Sequence, residues 1–338
     1  MPNSRLWYGC ESVAFAQHGA TSYTAAHGVQ SAGMNTRFNL EQVFELGQSA
    51  VYEDAERQPD IEVTLEKVLD GYPLLWHLAT RGASVGTLMG RSNQRCMVGF
   101  SLYSDVQDSA SGTPIKQVIC SGMYPSQVSY DFTVQRPFME NMTLVGNDAT
   151  WGTGLFSAPT FNNTDTPQAI TGSGGVNMRE DFIVGEQAGT KTLLPPDVEG
   201  VSSSGTISMT NGTPAVYLQS VRVSANFGRD AIYSLGKRGA CFRYMQVPVP
   251  VETAIEVLSK QGHGVNAYEE ADNLTERTIY IKIREGTTID LGSKNKLMSV
   301  GQTLGSAGGG GSNNATSSYS FRTFSALLVS HPSDPSGL

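Results

Sequence analysis

One feature constrains this chain more than any other: part of it is written twice. Residues 29–48 read VQSAGMNTRFNLEQVFELGQ and residues 218–237 read LQSVRVSANFGRDAIYSLGK, aligned without a gap at an offset of 189. Gln30/Gln219, Ser31/Ser220, Phe38/Phe227, Leu46/Leu235 and Gly47/Gly236 are identical, and Glu41/Asp230, Val43/Ile232 and Phe44/Tyr233 are chemically close. A repeat of this length marks a supersecondary unit used twice.

The segments downstream of each copy keep the same order. After Gly47 comes an acidic spacer and then PDIEVTLEKVLDGY at 59–72; after Gly236 comes a basic spacer and then VPVPVETAIEVLSKQG at 247–262. Both stretches begin with period-two alternation, as in Val247, Val249 and Val251, and both are read as passing into a short helix near Val68-Leu69 and Val257-Leu258. Further strands are expected in each copy. The first has Cys96, Val98, Phe100 and Leu102 on one face, then PIKQVICSGM at 114–123; the second has Ile279, Ile281 and Ile283, then KNKLMSVGQT at 294–303. Each copy closes on a strand pair: Val128, Tyr130, Phe132 and Val134 with MTLVG at 142–146, and Tyr319 and Phe321 with SALLVS at 325–330. The tract AGGGGSNN at 307–314 reads as a hairpin tip.

The chain is therefore expected to be mainly β: two tandem β-barrel or sandwich units, each with one short α-helix. The expected division is a first unit over 1–150, a connector over 151–210 folded onto a neighbouring surface, a second unit over 211–331 and a flexible tail at 332–338. The connector holds loop-like TDTPQAITGSGG and VEGVSSSGT, with a strand expected at MREDFIV.

Alternation in the repeat strand puts Phe38, Leu40, Phe44 and Leu46 on one side and Arg37, Asn39, Glu41 and Glu45 on the other. The second copy keeps the phase, with Phe227, Tyr233 and Leu235 against Asn226, Asp230 and Ser234. A sheet with one polar face belongs to antiparallel structure. That face is either the solvated outside of a sandwich or the wall of a channel shared between subunits, whose closure would remove exposed edges.

The run NTRFNLEQVFELGQSAVYEDAERQPDIEVTLEKVLDGYPLLWHLAT at 35–80 resembles the opening of a tail tube protein of tailed bacteriophages, and YPSQVSYDFTVQRPFMENMTLVGNDATW at 124–151 resembles that family's closing strand pair. The second unit resembles it mainly through 218–258 and 317–330. The resemblance implies a structural virion protein whose rings stack into a conduit for genome ejection. It implies that a doubled chain forms trimeric, pseudo-sixfold rings. The implied partners are further copies, other tail proteins (sheath, terminator, baseplate) and DNA passing through without tight binding, with no membrane. The implied location is the virion tail, assembled in the host cytoplasm. A baseplate hub or distal tail ring is the alternative role. A carbohydrate-binding β-sandwich on a surface is the alternative from another class. The candidate lumen-facing residues are Arg37, Asn39, Glu41, Glu45, Ser129, Asp131, Asp230, Ser320 and Arg322. The loops at 104–114 and 304–316 are candidates for ring-to-ring or outer contacts.

Charge fits passage rather than grip. With 31 acidic against 23 basic residues the net charge is −8, and no Lys/Arg cluster offers the counterion exchange that drives tight phosphate binding. No secretory signal is read at the start, and no apolar run approaches the ~20 residues of a membrane helix. Cys10, Cys96, Cys120 and Cys241 are scattered and read as free thiols, consistent with folding in a cytosol.

No enzyme is expected. Gly82-Ala83-Ser84-Val85-Gly86 matches the nucleophile-elbow pattern, but it lacks the preceding strand and the β–α alternation that chemistry requires. His18, His27, His77, His263 and His331 fall in no metal-ligand spacing, and no metal or cofactor is expected. Gly172-Ser173-Gly174-Gly175 lacks the Lys and flanking elements of a phosphate loop.

Overall fold

The computed structural model describes residues 6–337 apart from 107, 163, 171–172, 184–192, 211–212, 215, 238, 259–273 and 304–314. The expected hairpin tip at 307–314 and His263 lie outside the described residues. The chain is mainly β. In the first half, strands run β1 (Glu11–Gln17), β2 (Thr24–Ala25), β3 (Val29–Arg37), β4 (Leu40–Phe44), β5 (Val51–Glu56), β6 (Asp60–Val68), β7 (Cys96–Leu102), β8 (Lys116–Thr133), β9 (Met139–Gly146) and β10 (Asp148–Gly152). Two short helices, α1 (Leu75–Ala79) and α2 (Leu88–Ser92), sit between β6 and β7.

Among the described residues, the segment between the halves holds only two-residue strands: β11 (Ala169–Ile170), β12 (Ser173–Gly174), β13 (Met209–Thr210) and β14 (Thr213–Pro214). The second half runs β15 (Tyr217–Asn226), β16 (Arg229–Ile232), β17 (Phe242–Met245), β18 (Pro250–Leu258), β19 (Tyr280–Lys282), β20 (Thr288–Asp290), β21 (Lys296–Thr303), β22 (Thr316–Phe324) and β23 (Leu328–Ser330).

Within the largest sheet, of 12 strands, one path runs β3-β6-β9-β8-β15-β18-β22-β21, every neighbour antiparallel. Its first four strands and its last four have the same order and the same pairing. Positions correspond at an offset of 189 from β3 to β15, 190 from β6 to β18, 177 from β9 to β22 and 172 from β8 to β21. The irregularities repeat as well. The β3–β6 ladder skips Gln30 and the β15–β18 ladder skips Gln219; the β8–β9 ladder skips Ser126 and the β21–β22 ladder skips Met298. An extra residue unpairs the ladder locally and re-aims the side chains beyond it, so a bulge retained at matching positions preserves strand geometry as well as strand order.

The pairing corrects three expectations. First, the helix after Val63 and Val251 is not there: β6 and β18 each continue as one strand, to Val68 and Leu258. Ile61, Val63, Leu65 and Lys67 on β6, and Val251, Thr253, Ile255 and Val257 on β18, are all buried at period two, so alternation outlasts the helical-looking Val-Leu pair. Val68 matches Leu258, at an offset of 190 rather than 189. Second, 114–123 and 128–134 are not separate strands but parts of β8, which turns at Gly122 (φ +64) and passes from the β1-β7-β10 branch of the sheet to the β9-β15 branch. Only glycine adopts that φ readily, and open space lies around it. Third, the strand expected at 178–184 is a 3-10 turn, Arg179–Asp181, followed by a single bridge from Phe182 to Ile283.

Each half does not contain one helix: both described helices belong to the first half. Nor do the sheets close into a barrel. A single contiguous core lies behind the long path, drawing Val63, Leu65, Tyr130 and Leu144 from one half and Val223, Ile255, Tyr319 and Phe321 from the other. The 151–210 segment packs on its own chain. Leu194 and Val198 are buried in that core, Leu193 bridges Tyr280, and the Asn177 amide donates to the Leu69 carbonyl at 3.1 Å.

Candidate functional site: two free sheet edges, an apolar hairpin and a polar face

The seam between the halves is the ladder of β8 with β15. Gln127 lies opposite Asn226, Ser129 opposite Ser224, Asp131 opposite Arg222 and Thr133 opposite Ser220. Toward the core it buries Val128, Tyr130 and Phe132 against Val221, Val223 and Ala225. On the other face Arg222 pairs with Asp131 at 3.2 Å. The seam therefore joins the last strand of one half to the first strand of the next. Among the described residues, the first strand of the first half, β3, pairs only with β6, and the last strand of the second half, β21, pairs only with β22. The chain thus ends in two strand edges of the same two kinds that meet in its middle.

The hairpins that follow β3 and β15 differ in the same way. The β16–β17 hairpin lies on the first half. Arg229 donates to the Pro125 carbonyl at 2.6 Å and to the Ser92 carbonyl, and its guanidinium sits 5.4 Å from the Tyr124 ring. Arg243 donates to Asp60 at 2.7 Å and to Asn147 at 2.8 Å. Phe227, at the hairpin's root, is fully buried and stacks on Trp76 with ring centroids 5.6 Å apart. In the β4–β5 hairpin the matching Phe38 is 74% exposed, with Leu40 beside it; the hairpins differ at this root and not at their tips, where Phe44 and Leu46 are exposed and so are the matching Tyr233 and Leu235. Scattered exposed apolar residues are ordinary, but a contiguous set on one projecting element marks a contact surface.

The expected alternating strand at 37–46 is therefore two pieces. β3 ends at Arg37 and the chain turns into the β4–β5 hairpin, so Phe38, Leu40, Phe44 and Leu46 do not face a core. Of the candidate lumen residues, Arg37, Ser129, Asp131, Ser320 and Arg322 lie on one polar face of the long path. Ser129 and Asp131 are buried on it by their neighbours, and Asp131 also accepts from Asn141 at 2.9 Å. The other four are off the path. Asn39 donates to Asp60 at 3.0 Å, Glu41 pairs with Arg57, Glu45 accepts from Gln48 at the hairpin tip, and Asp230 accepts from Gln246 at 2.9 Å.

The same polar face carries residues that alternation alone could have found: Glu62 and Glu66 on β6, Arg222 on β15, and Glu252 and Glu256 on β18. Reading the ends of β6 and β18 as helix hid Glu66 and Glu256. Arg322 meets Glu252 directly across the β18–β22 ladder at 2.7 Å. The face is a mixture of both signs, not a basic stripe.

No family model and no curated protein matches the chain. A solved structure described as the cryo-EM structure of the anti-feeding prophage (AFP) baseplate, 6-fold symmetrised, is similar over 46% of this chain and 99% of that one, at 14% identity and a TM-score of 0.34. That likeness is too slight to carry the particle's role over to this chain.

Behind α1 lies a buried polar cluster joining the two halves. The Glu140 carboxylate accepts the backbone N–H of Leu75 (2.6 Å) and Trp76 (3.0 Å) and the Tyr130 hydroxyl (3.2 Å); burial pushes its carboxyl up to about 7. Lys67 pairs with Asp70 and donates to the His27 carbonyl at 2.7 Å. His77 shares a hydrogen bond with the Val329 carbonyl at 3.1 Å, and burial pushes it down to about 4; His331 is pushed down to about 3 by burial first and His77 second. Arg91 of α2 pairs with Asp334 of the C-terminal segment. Ser84 of the elbow-like string sits exposed in the turn between the helices. Among the described residues no group of three His, Cys, Asp or Glu could hold a metal, and no helix is long and apolar enough to cross a membrane.

Proposed function

We propose that this chain is a structural protein of a phage tail, a ring subunit whose rings stack into the tail tube. The observation that supports this is the β8–β15 seam: a half-sheet is joined edge to edge with a copy of itself, and the same two edges stand free at the ends. A unit that adds to itself head to tail forms a ring when the rotation closes and a filament when it does not. With two half-sheets per chain, a sixfold arrangement takes three chains, and we propose the trimer.

In this reading the polar face lines the channel. Paired charges such as Arg222–Asp131 and Arg322–Glu252 leave few bare cations to exchange counterions with a phosphate backbone, so DNA slides without being held. The partners are other tail proteins, the location is the virion tail after assembly in the host cytoplasm, and the chain performs no catalytic step.

Negative-stain electron microscopy of the concentrated protein, with native mass spectrometry of its smallest assembly, tests the proposal. Stacked tubes built from trimers are expected. Single closed rings would move the assignment to a hub or distal ring, and a monomer at every concentration would end it.

A further inference from the structure

The internal seam is a template for the external one. Resting on the ring reading, we propose that β21 of one copy pairs antiparallel with β3 of a second copy in the register of β8 with β15. The β4–β5 hairpin of that second copy then lies over the second half of the first.

The register comes from the positional correspondence of the two halves. Asn226 matches Arg37 and Gln127 matches Ser299, so Arg37 lies opposite Ser299. In the same way Thr36 lies opposite Val300, Asn35 opposite Gly301, Met34 opposite Gln302 and Gly33 opposite Thr303. Both edge strands carry the bulge of their seam counterparts, so the register transfers without slippage.

Burial identifies the missing neighbour. Val128 and Ala225 are 1% exposed at the internal seam, whereas Val300 and Thr36 at the free edges are only half-buried. Phe227 donates its backbone N–H to the Ser126 carbonyl at 2.9 Å across the seam and is buried there. The corresponding pair across the external seam is Phe38 with Met298, 74% and 55% exposed in the single chain. Two large apolar side chains, far apart in sequence and exposed at opposite ends of the sheet, become neighbours when one copy is laid on the next. At the hairpin, Arg229 is fastened to the Pro125 and Ser92 carbonyls; the matching Leu40 is exposed and would lie against the backbone at Leu297, the match of Pro125, whose side chain is buried in its own core.

The external seam differs in its charges as well. Arg222–Asp131 corresponds to Gly33–Thr303, so it lacks that ion pair and relies on apolar contact and the backbone ladder. Its occupant is a second copy of this chain, because the internal seam shows that this chain presents the complementary edge in the matching register.

Paired cysteines test the register. Arg37→Cys with Ser299→Cys, both exposed and on the polar face, should cross-link between copies under mild oxidation. Arg37→Cys with Thr303→Cys, four residues out of register and about 13 Å further along the strand, should not. Mixing the two single variants should give covalent dimers. Phe38→Asp should weaken self-association about 100-fold or more while leaving the monomer's melting temperature unchanged, since the side chain is exposed in the single chain. Assembly of the wild-type protein without preferential cross-linking of the matched pair would overturn this register and leave the ring reading standing. A protein that stays monomeric and cross-links with neither pair would overturn both.

Discussion

The Glu140 carboxylate accepts the backbone N–H of Trp76 at 3.0 Å, which fastens strand β9 to the first turn of α1 inside the core. Its second oxygen accepts from Leu75 at 2.6 Å. The ordinary carboxyl value of 4.5 is raised to about 7 by burial, against the pull of these hydrogen bonds. A raised folded value means that this group stabilises the fold fully below the unfolded value and loses that contribution as pH climbs through about 7. Glu140→Gln cannot titrate. It is expected to lower stability by about 1–3 kcal/mol at pH 5 by removing an acceptor. The gap to the wild type should then narrow as pH rises to 8, which thermal melts followed by circular dichroism would measure. A gap constant with pH would show that the carboxyl is not shifted.

The two buried histidines act in the opposite direction. His77 and His331 are held neutral, pushed down to about 4 and about 3 from 6.5. Their contribution is complete above pH 6.5 and is lost as pH falls toward those values, because the unfolded chain takes up protons that the fold refuses. His331 accepts the Ser333 N–H through Nδ1 at 3.0 Å, so His331→Asn keeps an acceptor there and removes the titration. The melting temperature of this variant is expected to fall less steeply than the wild type's between pH 6.5 and 4.

Arg91 and Asp334 form an ion pair with side chains 1% and 4% exposed, tying α2 to the C-terminal residues. Removing one member leaves the other charge buried without its partner, a loss of about 3–5 kcal/mol. Arg91→Ala should shift the urea midpoint down accordingly and open the chain near residue 334 to limited proteolysis. Unchanged protease resistance would show that the tail is held by other contacts.

Phe227 and Phe38 offer an internal control. Phe227→Ala empties a packed position beside Trp76 and should cost about 3–5 kcal/mol. Phe38→Ala, at the matching exposed position, should stay within about 0.5 kcal/mol in the unassembled chain. Denaturant titration below the assembly concentration compares them, and equal losses would contradict the different burial of the two sites.

Strand character was legible wherever alternation and burial agreed, as in Val128, Tyr130 and Phe132 or Tyr319 and Phe321. It misled where an apolar pair broke the pattern. Val68-Leu69 looks helical because Val68 closes a strand while Leu69 enters the core from the turn beyond it, both buried for different reasons. The hairpin at 40–56 was hidden because a two-stranded arm alternates like a core strand, and only the tertiary arrangement shows that Phe44 and Leu46 face outward. Five of the nine candidate polar residues share one face. The ends of β3 and β15 decide this: Asn39, Glu41 and Glu45 lie beyond Arg37, and Asp230 lies beyond Asn226, in turns and hairpins that continue the alternation without belonging to the sheet. The buried cluster of Glu140, His77, His331 and Asp334 was illegible for another reason: its members are up to 257 residues apart, counting from His77 to Asp334, and meet only after the halves pack.

The join at β8 and β15 lies within one polypeptide, so these two strands find each other at the high effective concentration of a tethered pair. They never have to select a mate from a crowd. In the proposed ring, discrimination between self and stranger falls on the outer margins of the sheet: β3 and β21 would encode recognition, whereas β8 and β15 need only encode rigidity.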